Sequence, residues 1–364
     1  MTVGIVVPTL NRIKKLKRFV NCLSRQTYKD FHVFIVDSGS TDGTKEEIFS
    51  FPVPCSFVTA SADDWWTSAT NIGIKKALDF GCELILTIND DAIILDDYLE
   101  KFTELFTKHK LEFCANRIDF ADKPGMVWAL GSYSTFGSPF LFQLKYNEYW
   151  YDELPEDVLS KEIIPTMTVC GDGVLIHRSV FEKIGFYNEK STPHVHADSE
   201  FSLRANKNGI PVYVAPNIVL YNDTQNLSEQ DTPTIDKRGF FQKIKDVFFN
   251  KKSDCYWRPT FYITIKYAEN KFIIPTLIRF FIWKFFIFFF NDFSKFFQSS
   301  KNTNKKDQGF LVSKIKKMLR SLLRRIAFWV FDIKKYDEKT TEHLIYDKNQ
   351  KKFIEKIKTM IQYY

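Results

Sequence analysis

Two hydrophobic periods alternate along the first half of the chain. Thr2–Val7 is a short β-branched run closed by Pro8, and Ile13, Leu16, Val20 and Leu23 then recur at helical spacing with basic residues between them. This reads as strand, loop and amphipathic helix. Phe31–Val36 is a second buried-strand run ending at Asp37, and the turn-rich Ser38-Gly39-Ser40-Thr41-Asp42-Gly43-Thr44 leads into a helix begun by Lys45–Phe49. Asn71–Phe80 has helical spacing, and Glu83–Ile88 is a third strand with Asn89-Asp90-Asp91 at its carboxyl end. Strands alternating with helices predict a Rossmann-like α/β domain with a mostly parallel central sheet, whose ligands lie beyond the carboxyl ends of its strands. Asp37 and Asn89–Asp91 both fall on that edge.

Periodicity weakens between Leu111 and Pro165 and returns with Val169–His177, a predicted strand. A short helix, Ser179–Ile184, ends at Gly185. His194-Val195-His196 is then expected to be an extended loop running into a helix whose first turn carries Asp198 and Glu200, where the helix dipole tolerates negative charge. Val212–Val214 and Ile218–Tyr221 are predicted as short closing strands.

After Asp236 the texture changes. Phe272–Phe290 holds fifteen large apolar residues in nineteen positions, interrupted by Pro275, Thr276, Arg279 and Lys284. On the insertion scale each central cation costs about 2.5–3.5 kcal/mol, whereas each apolar residue returns only about 0.3–0.6 kcal/mol, so a helix against the membrane interface is favoured over a clean span. A buried core or dimer helix is the other reading. Val312–Val330 places Val312, Ile315, Leu319, Leu322, Ile326 and Val330 on one helical face and Lys314, Lys317, Arg320, Arg324 and Arg325 on the other. That is a basic amphipathic helix, suited to a membrane surface or to ordinary packing on its own domain.

Charge sharpens this division. The 364 residues carry a net charge of +7, but residues 1–236 sum to −11 and residues 237–364 to +18. Two domains are therefore expected, 1–236 and 237–364, the first suited to cations and polyols and the second to an anionic surface. An apolar content of 45% excludes wholesale disorder. Six cysteines without a C-x-x-C pair argue against a zinc module and a disulfide framework and for a reducing compartment. The initial apolar run is too short for a signal peptide, so the first domain is expected in the cytoplasm, peripheral on the inner face of the membrane. No stacking motif, helix-turn-helix spacing or zinc module supports nucleic acid as a partner.

Candidate chemistry lies at three places. Asp90 and Asp91 are adjacent carboxylates able to hold a hard divalent cation together with diphosphate oxygens. Asp37 can bind a nucleobase or ribose, or can form an Asx turn. Asp198 and Glu200 offer a general base toward an alcohol, or cap their helix. His194 and His196 could face one site as metal ligands or proton carriers, or could face solvent.

In sequence order, Ile5-Val6-Val7-Pro8-Thr9-Leu10-Asn11-Arg12, Val36-Asp37-Ser38-Gly39-Ser40-Thr41-Asp42-Gly43-Thr44, Asn71-Ile72-Gly73 and Asn89-Asp90-Asp91 resemble the successive motifs of family 2 glycosyltransferases with the GT-A fold. Gly171-Asp172-Gly173 through Tyr187 resembles that family's acceptor segment, and Asp198–Ala205 its catalytic-base helix. The resemblance covers residues 2–223. It implies an inverting transfer from a nucleotide sugar, UDP- or dTDP-linked, to a hydroxyl. Pro8, Thr9, Asn11, Arg12, Asp37, Ser40, Asn71 and Asp90 would border the nucleotide. Asp91 would coordinate Mn²⁺ or Mg²⁺, Asp198 would deprotonate the acceptor, and Gly171 and Asp172 would meet it. Trp65 and Trp66 resemble the aromatic pair of rhamnosyl- and galactofuranosyl-type members, lining the donor sugar, or are core tryptophans.

Three departures stand out. Asn89 replaces the first carboxylate of the usual Asp-x-Asp triplet. Ala197 replaces a Glu, which leaves Asp198 or Glu200 to take the proton. Val219-Leu220-Tyr221-Asn222-Asp223 lacks the usual metal-binding His, which Asn222, His194 or His196 would have to replace. With the basic, aromatic-rich helical C-terminal region, these features point to a glycan or lipid-linked acceptor, as in bacterial capsule or lipopolysaccharide synthesis. The alternatives are an inactive membrane-bound glycan-binding scaffold and another nucleotide-using α/β transferase; Pro8–Arg12 lacks the glycine expected of a nucleotidyltransferase phosphate loop.

Overall fold

The structure is a computed structural model that describes residues 1–138, 141–222, 240–251, 253 and 256–282. By packing, the chain divides into one unit of Met1–Ser134, Leu144–Ser228 and Lys251–Asp254 and another of Thr135–Gln143, Glu229–Asn250 and Cys255–Tyr364.

The first unit opens with β1 (Val3–Thr9), α1 (Ile13–Ser24), β2 (Phe31–Asp37), α2 (Thr44–Glu47), β3 (Cys55–Thr59), α3 (Trp66–Phe80) and β4 (Leu84–Thr87). Strands β1, β2 and β4 are buried along nearly their whole length, which is why they read as continuous apolar runs. Strand β1 runs two residues past the expected end, through Pro8. The Val6 carbonyl accepts from Ile88 N–H toward β4 and the Thr9 carbonyl from Ser38 N–H toward β2. Residue parity therefore turns Pro8 toward β4 beyond their last pair, Val6↔Thr87, where no ladder donor is needed.

The stretch that shows no periodicity in the sequence holds much of the remaining sheet. After β5 (Ile93–Ile94) and α4 (Tyr98–His109) come β6 (Phe113–Phe120), β7 (Lys123–Ala129), β8 (Ser132–Ser134), β9 (Phe142–Leu144), α5 (Glu156–Leu159) and β10 (Ile164–Pro165). Then follow β11 (Val174–His177), α6 (Arg178–Ile184), α7 (Ala197–Lys207) and β12 (Tyr213–Asn222). The large sheet has the order β10-β12-β6-β11-β4-β1-β2-β3, with β5 on β12 and β7 on β6.

The expected α/β fold with its central sheet is present, and β12 also pairs in parallel with β6, while antiparallel strands extend the parallel core. β3-β2-β1-β4 are parallel, but β11 runs antiparallel between β4 and β6, and β7 pairs antiparallel with β6. The reason for the β6–β7 pair is connection length, since a two-residue link cannot make a parallel crossover. The expected strand Val169–His177 shortens to Val174–His177 because Gly173 takes φ +79° and turns the preceding residues into a loop. The two closing strands are one, bulged between Ala215 and Val219.

Helix α3 begins five residues earlier than its spacing predicts. It presses on β1 and β2 at Gly73, where a Cβ would lie 2.4 Å from Val6 Cγ1 and 2.8 Å from Val36 Cγ2.

In the second unit, α8 (Phe240–Phe248) and α9 (Trp257–Tyr267) precede helical residues 270–282. Here the polar residues of the apolar segment turn inward: Thr276 Oγ1 accepts from Gly137 N–H at 2.6 Å, and Arg279 donates to the Gly137 carbonyl. Ile274, Ile278 and Phe281, at helical spacing, are exposed by 67%, 44% and 36%. Among the described residues no helix is long and apolar enough to cross a membrane. Residues 283–290 and the predicted amphipathic helix 312–330 lie outside the described residues.

Gly73→Ala is expected to destabilise the protein by about 1–3 kcal/mol through overpacking, read as a lower urea midpoint. Gly43→Ala, where nothing lies within 4 Å but φ is +87°, should cost only about 1–2 kcal/mol of backbone strain.

Candidate active site

The carboxyl ends of β1, β2 and β4 bring three loops together. Thr9 Oγ1 donates to Asp90 Oδ2 at 2.7 Å, and Arg12 Nη1 meets Asp90 Oδ1 at 2.8 Å. Arg12 also pairs with Asp91, joined by Lys15 Nζ at 3.4 Å. Arg18 Nη2 donates to the Asp91 carbonyl at 3.0 Å. Asp90 is only 1% exposed. Its pKa is pushed up to about 6 by burial, against the pull of Arg12 and Thr9.

The loop after β1 is tied to the loop after β2. Asn11, in the left-handed region at φ +53°, donates its N–H to Ser40 Oγ at 2.8 Å and accepts from Thr41 N–H at 2.8 Å. Asp42 caps α1 by accepting from Ile13 N–H at 2.9 Å. Buried Asp37 accepts from Ser40 N–H at 3.2 Å and 3.1 Å, which is the Asx-type geometry and leaves its strand-end position at the sheet edge. Pro8, Thr9, Asn11, Arg12, Asp37, Ser40 and Asp90 are therefore gathered at one edge.

The second half of the site is built on Gly171–Asp172. Asp172 Oδ1 accepts from Asn89 N–H at 2.9 Å, and Gly171 N–H donates to Asp198 Oδ2 at 2.7 Å. Asp198 Oδ1 accepts from Ser199 N–H at 2.7 Å. Burial raises the Asp198 carboxyl above the ordinary aspartate value, opposed by those backbone N–H groups. Burial pushes Asp172 up to about 7, with the Asn89 N–H opposing it and the neighbouring Asp91 and Asp90 charges adding to it. The Trp66 indole closes the group: its Nε1 donates to Asn89 Oδ1 at 3.2 Å. A Cβ on Gly171 would stand 2.8 Å from Trp66 Cη2 and 3.2 Å from Asp198 Cβ. Asn89, a departure from the usual triplet, thus organises the tryptophan. Trp65 is the residue preceding α3 and is half-buried.

Other candidates are placed elsewhere. Both ends of the Asn71 amide are used on the loop before α7: Nδ2 donates to the Tyr187 carbonyl at 2.9 Å and to Glu189 at 2.7 Å, and Oδ1 accepts from Tyr187 N–H at 3.0 Å. Asn71 therefore braces α3 against that loop. Glu200 is fully buried and pairs with Arg204 at 3.0 Å, one helical turn on, so between the two acids of α7 Asp198 is the one turned to Gly171. His194 and His196 do not alternate along an extended loop. They sit in turns, His196 preceding α7 at φ +62°. Asn222 ends β12, its carbonyl accepting from Ala121 N–H.

Among the described residues no three His, Cys, Asp or Glu side chains form a metal-holding cluster, so Asp91, His194 and His196 are not brought together as one. The hard carboxylate oxygens of Asp91 fit Mn²⁺ or Mg²⁺ in kind. They are also paired with Arg12 and Lys15.

The glycosyl transferase family 2 model matches residues 4–185. Glycosyltransferase GlyG of Streptococcus pneumoniae is 22% identical over 272 residues, 70% of this chain and 80% of its own. The uncharacterized glycosyltransferase YwdF of Bacillus subtilis is 23% identical over 208 residues, 57% of this chain and 69% of its own. Among solved structures, S. aureus TarS 1–349 in complex with UDP-GlcNAc gives a TM-score of 0.47 at 13% identity, covering 78% of this chain and 81% of that one. A longer S. aureus TarS structure gives 0.45 at 13% identity, over 74% of this chain; the chain spans 46% of it.

The buried Asp172 carries a pH signature. Its folded pKa, about 7, lies above the unfolded aspartate value. Its contribution to stability is thus fully present below about pH 4 and lost as pH rises through 7. Asp172→Asn keeps an oxygen for Asn89 N–H and is expected to flatten this fall, measured as the difference in urea midpoints between pH 4 and pH 8 relative to the native protein.

Proposed function

The chain belongs to glycosyltransferase family 2, and from that premise we propose that it transfers a sugar, with inversion, from a nucleoside-diphosphate donor to an acceptor hydroxyl. The observation that supports this reading best is the two-residue bridge at Gly171–Asp172. It links the Asp198 carboxylate to the Asn89–Asp91 loop through consecutive hydrogen bonds, so a candidate base and a candidate diphosphate site share one rigid support.

In this mechanism Asp37, at the end of β2, holds the base or ribose. Arg12, Lys15 and Arg18 face the diphosphate with the amino end of α1, whose dipole favours anions. Trp66, with Trp65, walls the donor sugar. Asp198 takes the acceptor proton, and its raised pKa brings a carboxylate closer to the basicity this task requires. The acceptor oxygen then attacks the anomeric carbon from the side opposite the departing nucleoside diphosphate. Asp91 would hold Mn²⁺ or Mg²⁺ together with diphosphate oxygens, and the cation when bound neutralises charge developing on the leaving group.

The second unit supports a membrane-facing role at the inner face of the cell membrane. Its exposed Ile274, Ile278 and Phe281 form an apolar face, and residues 237–364 carry +18, a combination suited to anionic lipid. A lipid-linked or membrane-bound glycan is the acceptor that this placement favours, as in assembly of bacterial surface polysaccharide.

Nucleoside diphosphate release from a panel of UDP-, dTDP- and GDP-sugars, with Mn²⁺ or EDTA and a membrane lipid extract, is expected to pick out one metal-dependent donor. Asp198→Asn should lose about 10²–10⁴ of the rate. The acid limb of the native kcat/KM profile should lie above the ordinary aspartate range. No release from any donor would move the reading to a glycan-binding scaffold.

Ile274→Glu with Ile278→Glu should reduce co-sedimentation with vesicles containing anionic lipid while leaving the far-ultraviolet dichroism unchanged. Unaltered sedimentation would remove the membrane-facing role.

A further inference from the structure

Three cations in and just before one helix converge on one acidic residue. Arg12 immediately precedes α1, and Lys15 and Arg18 follow three residues apart within it, on adjacent turns of one face. Arg12 and Lys15 pair with the Asp91 carboxylate and Arg18 with its carbonyl. Arg12 bridges further to Asp90, whose other oxygen is held by Thr9. Asp91 is 13% exposed at its side chain and Lys15 23%, so the pair is only weakly screened by water. A divalent cation approaching Asp91 therefore meets a carboxylate already neutralised and two positive charges beside it.

A diphosphate changes the balance. It brings several acceptor oxygens and negative charge to the same face, where Arg12 and Lys15, both phosphate-binding side chains, now share one Asp91 oxygen. Drawing Lys15 and Arg12 toward phosphate would return Asp91 to the hard-ligand state that a divalent ion needs.

We propose that Lys15, together with Arg12, is a positioning cation that keeps Asp91 closed to divalent metal until a diphosphate draws it away, so that metal and nucleotide enter the site together. This rests on the reading that Asp91 is the metal ligand. It adds a residue, Lys15, that lies outside the family motifs quoted above, and it makes metal affinity a property set by α1 as much as by the acidic loop.

The test is a titration of the full chain with MnCl₂ alone, free Mn²⁺ being read by electron paramagnetic resonance, with no sugar donor present. Lys15→Met is expected to bind Mn²⁺ at least about tenfold more tightly than the native protein, since a positive charge a few ångströms from the ion is removed. Lys15→Arg, which keeps the charge, should bind as the native protein does. The gain should vanish in Lys15→Met with Asp91→Asn. In the native protein, adding UDP as a diphosphate probe should tighten Mn²⁺ binding, and this coupling should shrink in Lys15→Met.

The proposal is overturned if Lys15→Met binds Mn²⁺ no more tightly, if Lys15→Arg gains equally, or if the gain survives Asp91→Asn. The titration needs no turnover, so its failure is distinct from failure of the transfer reaction: a donor hydrolysed with metal dependence but without a Lys15 effect would sink the latch alone.

Discussion

The buried carboxylate of Asp90 is the constraint on which the candidate site at the ends of β1 and β4 depends. A carboxylate 1% exposed must be met by partners or lose its charge, and burial already raises it to about 6. The partners come from another strand and from the loop behind it, Thr9 at the end of β1 and Arg12 before α1. Meeting Asp90 thus fixes the separation of the β1 and β4 loops. It also presents Arg12 to Asp91, and α1 then carries Lys15 and Arg18 to the same place. Removing one partner of such a pair would leave an uncompensated buried charge.

The half of the candidate site around Gly171–Asp172 is organised differently, by backbone rather than by charge. Gly173 takes a positive φ with Asn116 Oδ1 so close that a Cβ would stand 1.6 Å away. Asn116 is itself fixed by the Tyr98 hydroxyl at 2.6 Å. This packing sets the path of Gly171–Asp172, and that path aims one N–H at Asp198 while Asp172 receives the N–H of Asn89. Glycine is required at 171 for a second reason, the tryptophan ring stacked where a side chain would go. One short segment therefore couples the two carboxylate-bearing loops and the aromatic wall, and small displacements of it would reach all three.

The paired roles of α7 illustrate why neighbouring acids diverge. Asp198 and Glu200 share the first turn, and sequence spacing does not tell which of them faces the site. Two residues along a helix is a rotation of about 200°, so they face opposite ways. Glu200 turns into the core to meet Arg204, which also donates to the Ile184 and Phe186 carbonyls. Asp198 turns outward to Gly171.

Much was legible before any fold was known. The order of strands placed Asp37 and Asn89–Asp91 on one edge, because in alternating β/α sequences every parallel strand delivers its carboxyl end to the same side, and the resemblance added Thr9 and Arg12. The helix bearing Leu16, Val20 and Leu23 followed from a 3.6-residue period, which is a local property. Whatever depended on distant partners was not legible. Strand β11 sits between β4 and β6 by pairing, β6 and β7 lie in a stretch without clear periodicity, and Asn71 is turned to Tyr187 and Glu189 by packing of α3. His194 and His196 alternate in sequence yet occupy a turn, since φ +62° at His196 breaks the period that the letters suggest. Arg279 reads as an obstacle to burial in an apolar run, but it finds the Gly137 carbonyl 142 residues away in sequence. Sequence alone determined the period-borne elements and the shared edge, because these arise from covalent spacing. Which carboxylate meets which cation was decided only by tertiary structure, because an ion pair depends on a distance that the chain's order does not contain.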